Sequence, residues 1–269
     1  AYWRIAYYWG PAIIVAIIAV LVLIFGKGTT KDEGLPPLRE ILPEDNAEEL
    51  VEKADTDKAD QLSAGQILWR YAIKNKLIWF ISLADASIYL IRFGVLIWLP
   101  IYLLQEKGFS RDQMGTAFAI FEWAAIPTTL FAGYLSDKFF RGRRMPLSII
   151  CTGIIFISIF FYWFGSSLLL ITTAAGIVGA MIYVPQFLTG VLSMDIVPNF
   201  AVGSVTGFRG FMSYILGATL ATALIGKMVD LYGWGAGFLI ILAATLSCII
   251  FLYAGTHRNH RDAKKTAAS

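Results

Sequence analysis

From Leu77 to Leu104 the chain runs for 28 residues with only two charged side chains, Asp85 and Arg92. At about 1.5 Å of rise per residue, roughly 20 apolar residues in a helix already cross a hydrocarbon layer of about 30 Å. Blocks of the same kind recur along the chain. Apolar spans are expected near 8–25, 77–104, 116–136, 145–164, 167–192, 203–228 and 234–254. The composition agrees, with 57% hydrophobic and 15% charged residues, where soluble domains carry about 25% charged. The expected fold class is an all-α, polytopic membrane protein with seven spans.

The first two blocks are separated by the polar segment 26–76, which holds eleven acidic and eight basic residues and the sequence GLPP. This reads as a solvated linker with short helices. Its last part, SAGQILWRYAIKNK, sets Ser63 as a helix cap and follows it with a Trp/Tyr and basic flank, which suits an interfacial helix entering the membrane. With the linker on the cytoplasmic side, sixteen Lys/Arg residues fall on that side and four (Arg4, Lys107, Arg111, Lys227) on the other. Positive charge concentrates where short loops stay inside, so the linker and the tail are expected to be cytoplasmic. The opening AYWRIAYYWG has no initiator Met, basic n-region or cleavage site. It reads as a membrane helix entered mid-protein rather than a signal peptide. The expected units are therefore a helix within 1–25, a linker over 26–76, a six-helix bundle over 77–254 and a tail over 255–269.

Several function classes find no support in the residues. The net charge of +3 comes from basic residues gathered at helix ends, which argues for a lipid bilayer and against nucleic acid as partner. Cys151 and Cys248 both sit inside apolar blocks, so no disulfide framework is implied. His257 and His260 both lie in the tail, leaving no metal cluster in the spans. There is no His beside a nucleophile, no pair of catalytic carboxylates and no Gly-rich phosphate loop after a strand. Neither an enzyme nor a cofactor is expected.

The polar residues inside the spans fall on helical faces. Residues i, i+4 and i+7 share a face, and in the second span that face carries Ser82, Asp85, Tyr89 and Arg92. A single polar stripe on an apolar helix needs a water-filled cavity or protein opposite it. Asp85 stands about 10 Å from Arg92 along the axis, too far for an easy pair on one helix. Arg92 therefore either pairs with a carboxylate of another helix or receives its countercharge from a bound anion; its place near the middle of the span favours the second. The fifth span carries Gly179, Tyr183, Gln186, Gly190 and Ser193, and the sixth carries Thr206, Arg209, Ser213 and Gly217, with Gly210 and Tyr214 one position over. Gly203 and Gly207 are expected to seat a neighbouring helix. Arg209 is open to three readings: outward snorkelling, a pair with Asp195, or substrate contact. Glu122, inside the third span, either balances Arg92 when the site is empty or is a fixed structural partner. Cationic and aromatic groups converging at membrane depth suit an anion, because a guanidinium fork matches phosphate or carboxylate in two-point contact.

The stretch GYLSDKFFRGRR (133–144) resembles the cytoplasmic loop motif of the major facilitator superfamily, through Gly133, Asp137, Arg141, Arg143 and Arg144. More closely, GLPP, YLIRFGVLIWLPIYLL, FEWAAIPTTLFAGYLSDK, IYVPQFL and GFMSYILGA resemble the organophosphate:phosphate antiporters of that superfamily over nearly the whole chain, most of all its phosphoglycerate branch and then the glycerol-3-phosphate branch. The resemblance implies the C-terminal six-helix half of a twelve-helix bundle plus the preceding helix, with an N-terminal half as partner. It implies a substrate arginine at Arg92, site tyrosines at Tyr89, Tyr183 and Tyr214, a membrane-embedded glutamate at Glu122, and a loop at 133–144 that gates the cytoplasmic ends. Gln186 and Arg209 are added from the stripes as substrate contacts, and Asp85 as a charge-balancing residue. The chain departs from the glycerol-3-phosphate branch at Ile97, where that branch has an acidic residue, and at Arg209, where it has an uncharged one. The implied activity is exchange of a phosphorylated small-molecule anion, of phosphoglycerate or phosphoenolpyruvate type, for inorganic phosphate across the inner membrane by alternating access. A glycerol-3-phosphate antiporter or a transporter-like sensor of the same ligands is the alternative.

Overall fold

The computed structural model describes residues 9–25 and 62–266, with side chains up to His257. The part of the linker before residue 62, with any short helices expected there, lies outside the described residues. Two compact units divide the chain: the first contains helix α1 (Gly10–Phe25), and the second everything from Ser63 onward. Helix α1 has 16 described residues, GPAIIVAIIAVLVLIF, and its large apolar side chains from Ile13 to Ile24 are exposed. That length rises about 24 Å, short of a full crossing, so the first expected span is only partly described.

The second unit opens with Ser63, which forms a capping box with Gln66: the Ser63 hydroxyl accepts from the Gln66 N–H, and the Gln66 side chain accepts from the Ser63 N–H. The cap starts helix α2 (Ala64–Ile67), which widens into a π-helical turn, Leu68–Ile73. Asn75 then caps a new helix, α3 (Lys76–Gln105), accepting from Leu77 N–H at 3.0 Å. The corner is held by Trp79, whose indole N–H donates to the Ile73 carbonyl at 2.8 Å.

Five further helices follow: α4 (Arg111–Phe140), α5 (Arg144–Phe164), α6 (Leu168–Asp195), α7 (Asn199–Tyr232) and α8 (Trp234–Thr266). Six helices, α3 to α8, are long and apolar enough to cross a membrane, α8 over Trp234–His257. No strand occurs among the described residues. Connections are short. Ser110 and Ser167 cap α4 and α6, Arg141 and Gly142 turn the chain with positive φ (53° and 75°), and Gly233 alone joins α7 to α8 at φ 79°. Prolines stand inside three of the helices, Pro100, Pro127 and Pro185, which neighbouring helices and hydroxyls tolerate at membrane depth.

Helix α3 is the core element. Ile88, Ile91, Val95, Leu99 and Leu103 are buried among α5, α6, α7 and α8 side chains, including Ile159, Ile182, Ile225 and Phe238. Helix α4 packs chiefly on α6, and α5 on α6 and α8. The α4–α6 contact is backbone-close: a Cβ added at Gly179 would overlap the Phe121 carbonyl. Lipid-like apolar side chains (Trp123, Leu130, Phe131, Phe161, Leu169) cover the outside. The glycines Gly203 and Gly207 correct one expectation. Added Cβ atoms there meet nothing within 4 Å, so neither seats a helix among the described residues.

Candidate anion site and its two polar layers

Helical period brings Ser82, Asp85, Tyr89 and Arg92 to one face of α3, and two layers form on it. The upper layer surrounds Arg92. Its Nη1 donates to Gln186 Oε1 at 3.4 Å, and its guanidinium lies 4.5 Å from the centre of the Tyr183 ring and 5.3 Å from that of Phe93. Arg92 Nε is buried and has no hydrogen-bond partner. Gln186 turns its amide N–H to the Tyr89 hydroxyl at 3.3 Å, so one side chain links α3 and α6 twice. Tyr89 in turn meets Tyr214 of α7 edge to face, with ring centres 5.2 Å apart.

Glu122 reaches this layer through an intermediary. The Tyr183 hydroxyl donates to Glu122 Oε2 at 3.1 Å while the Tyr183 ring carries Arg92. No ion pair joins Glu122 and Arg92 among the described residues. Of the two readings of Glu122, this arrangement shows no direct pair with Arg92, while the hydrogen bond from Tyr183 fits a structural partner that ties α4 to α6.

The lower layer lies two turns away, toward Asn75. Asp85 is 1% exposed and fully engaged there: its Oδ2 accepts from Arg209 Nη1 at 2.7 Å and from the Ser213 hydroxyl, and its Oδ1 accepts from the Thr189 hydroxyl at 3.0 Å. Of the three readings of Arg209, this sets aside the pair with Asp195 and outward snorkelling. Asp195 faces Arg144 instead, at 3.7 Å, because helix packing turns the Arg209 face of α7 into the bundle toward α3.

The loop motif is also assembled in part. Arg144 Nη1 donates to Asp137 Oδ1 at 2.8 Å, across the turn made by Arg141 and Gly142, while Arg141 and Arg143 remain exposed. Gly133 stands on α4 one turn before Asp137, with an added Cβ 3.8 Å from Phe187. Two members of the site are absent from the sequence expectations, Thr189 and Phe93. Thr189 is one turn beyond Gln186 on the polar face of α6, a spacing that could have signalled it. Phe93 neighbours Arg92 in an aromatic-rich run and carries no such mark.

One arginine, one amide and three tyrosines thus gather on the facing sides of α3, α6 and α7, in a unit of six helices long and apolar enough to cross a membrane. The chain belongs to the Major Facilitator Superfamily, whose family profile it matches over residues 1–221. It is an integral, multi-pass membrane protein. Over 96% of its length it is 51% identical to the phosphoglycerate transporter protein of Salmonella typhimurium, covering 55% of that relative. It is 32% identical to the glycerol-3-phosphate transporter of Bacillus subtilis over 93% of its own length and 55% of the relative. It is 29% identical to the hexose-6-phosphate:phosphate antiporter of Escherichia coli over 90% and 52%. The chain thus spans about half the length of the curated relatives it matches.

Proposed function

We propose that this chain forms the second half of an antiporter that exchanges an organic phosphate of phosphoglycerate or phosphoenolpyruvate type for inorganic phosphate. The observation that carries the reading is Arg92. It stands mid-span, paired with no carboxylate among the described residues, its Nε buried without a partner. A charged side chain at the centre of a bilayer costs at least about 3 kcal/mol, and a phosphate that takes the guanidinium fork in two-point contact offsets that cost. Gln186, Tyr89 and Tyr214 supply further donors around it, while Tyr183 supplies its ring face. The 51% identity to a relative named a phosphoglycerate transporter supports the substrate class.

In this reading residues 1–25 contribute the last helix of a preceding six-helix half, 26–76 are the cytoplasmic linker, 77–254 the bundle and 255–269 a cytoplasmic tail. The membrane is the inner membrane, with the Lys/Arg-rich ends inside. Substrate binds between the two halves near the midplane, and neutralising Arg92 permits the halves to rock from one side to the other. The loop pair Asp137–Arg144 breaks and reforms as the cytoplasmic ends part.

The test uses the complete protein, this chain joined to its preceding half, in proteoliposomes loaded with labelled phosphate. Efflux is expected with external 3-phosphoglycerate or phosphoenolpyruvate, and an Arg92→Lys variant should lose most of it, because lysine keeps the charge but not the fork. Near-normal exchange by that variant would falsify the two-point contact. Tight binding without counterflow would instead make the protein a sensor.

A further inference from the structure

The lower polar layer has a chemistry of its own. Asp85 receives three donors from two other helices, Arg209 and Ser213 on α7 and Thr189 on α6. Its negative charge cancels that of Arg209 at the floor of a site whose other cation, Arg92, stands uncancelled. Arg209 fits a slot made for it: Nη2 lies 3.4 Å from where a Cβ of Gly190 would stand, so any larger residue at 190 would crowd the guanidinium. Only Nη1 is committed to Asp85, and Arg209 Nε is buried with no partner. The guanidinium thus keeps unused donors that Asp85 alone restrains.

The same cluster fixes the geometry above it. Ser213 is the first residue of a π-helical turn, Ser213–Ala218, and its hydroxyl lies 2.8 Å from the Arg209 carbonyl besides donating to Asp85. Within that turn, a Cβ at Gly217 would stand 2.6 Å from Tyr89 Cβ and against the Ala86 carbonyl, so α7 and α3 touch nearly backbone to backbone. The wide turn and the close contact together deliver Tyr214 to Tyr89.

We propose that Asp85 sets the charge of the anion site by withholding Arg209 from the substrate. The proposal rests on the reading of Arg92 as the anion contact. It makes the two single neutralisations act in opposite directions. Without the Asp85 charge, Arg209 becomes a second open cation beneath the anion. Without the Arg209 charge, a carboxylate stands there unmatched.

The experiment measures labelled inorganic phosphate self-exchange by the complete protein in proteoliposomes, with KM and maximal rate for each variant. Asp85→Asn should lower KM by about fivefold or more while slowing exchange, and Arg209→Gln should raise KM by a similar factor. The double variant Asp85→Asn/Arg209→Gln should bring KM back to within about twofold of the parent. Arg209→Lys should keep a near-parental KM, since a point charge suffices to match Asp85. If the double variant keeps the raised KM of Arg209→Gln, Arg209 touches the anion and the proposal fails. It fails equally if Asp85→Asn raises KM as Arg209→Gln does, the signature of a merely structural pair. Should Asp85→Asn not accumulate as folded protein, the comparison of Arg209→Gln with the double variant decides alone. A parent protein that exchanges no phosphate would overturn the anion-site reading itself, and this inference with it.

Discussion

The Arg92 guanidinium lies 4.5 Å from the centre of the Tyr183 ring. Tyr183 is therefore both floor and relay: its face attracts the cation, and its hydroxyl, bonded to Glu122, ties the ring to α4. A cation resting on a ring stays available to an anion, where one paired to a carboxylate would first have to be freed. The arrangement holds the guanidinium in place without an ion pair among the described residues.

Changes at Tyr183 should separate these two roles. Tyr183→Phe keeps the ring and loses the hydroxyl, and exchange should fall only a few-fold. Tyr183→Leu loses both, and the missing cation–π contact costs up to about 2 kcal/mol, roughly thirtyfold in affinity. Equal losses in the two variants, read as KM for phosphate, would place the whole effect in the hydroxyl.

Glu122→Gln retains an oxygen that accepts from Tyr183 and removes a negative charge near the site. The KM for phosphate should fall, since one source of repulsion toward the anion is gone. Glu122→Ala also strands the Tyr183 hydroxyl, a loss of about 1–3 kcal/mol, and should melt lower in detergent than Glu122→Gln. Identical melting of the two would count against the hydrogen bond.

Two glycine replacements should differ in sign. Gly179→Ala drives a methyl into the Phe121 backbone and should prise α4 from α6, destabilising by about 1–3 kcal/mol. An added Cβ at Gly153 meets nothing within 4 Å, so Gly153→Ala should be neutral or gain up to about 1 kcal/mol of helix propensity. Thermal unfolding of the purified variants reads both, and a destabilised Gly153→Ala would contradict the packing described.

The Asp137–Arg144 pair is solvent-accessible, with Asp137 61% exposed. Its coupling in a double-mutant cycle of Asp137→Asn and Arg144→Gln should be small, about 0.2–1 kcal/mol. Arg144→Gln alone should cost more than Asp137→Asn alone, because Arg144 also faces Asp195. A coupling well above that range in melting experiments would assign the pair a buried, structural role.

The face of α3 was legible because helical period is local. Four polar residues at fixed spacing in an apolar run must share a side, and an arginine there must find compensation. The stripes on α6 and α7 followed by the same rule, as did the Ser63 cap from its short-range signature. Gly203 and Gly207 misled because a small residue states only that close approach is permitted. Whether a neighbour comes there depends on where the other helix runs, and it comes at Gly179 and Gly217 instead.

The sequence by itself determined the class of the fold: long apolar blocks must become membrane helices, since only a helix satisfies its own backbone in lipid. It also determined that Arg92 stands uncompensated on its own helix. Which acid meets which base was decided by tertiary structure alone. Asp85 and Arg209 are far apart in sequence, and either had nearer candidates; only the rotation and depth of α7 against α3, set by close packing around Gly217, turned them toward each other. A pairing between helices depends on relative register, and no single helix carries that information.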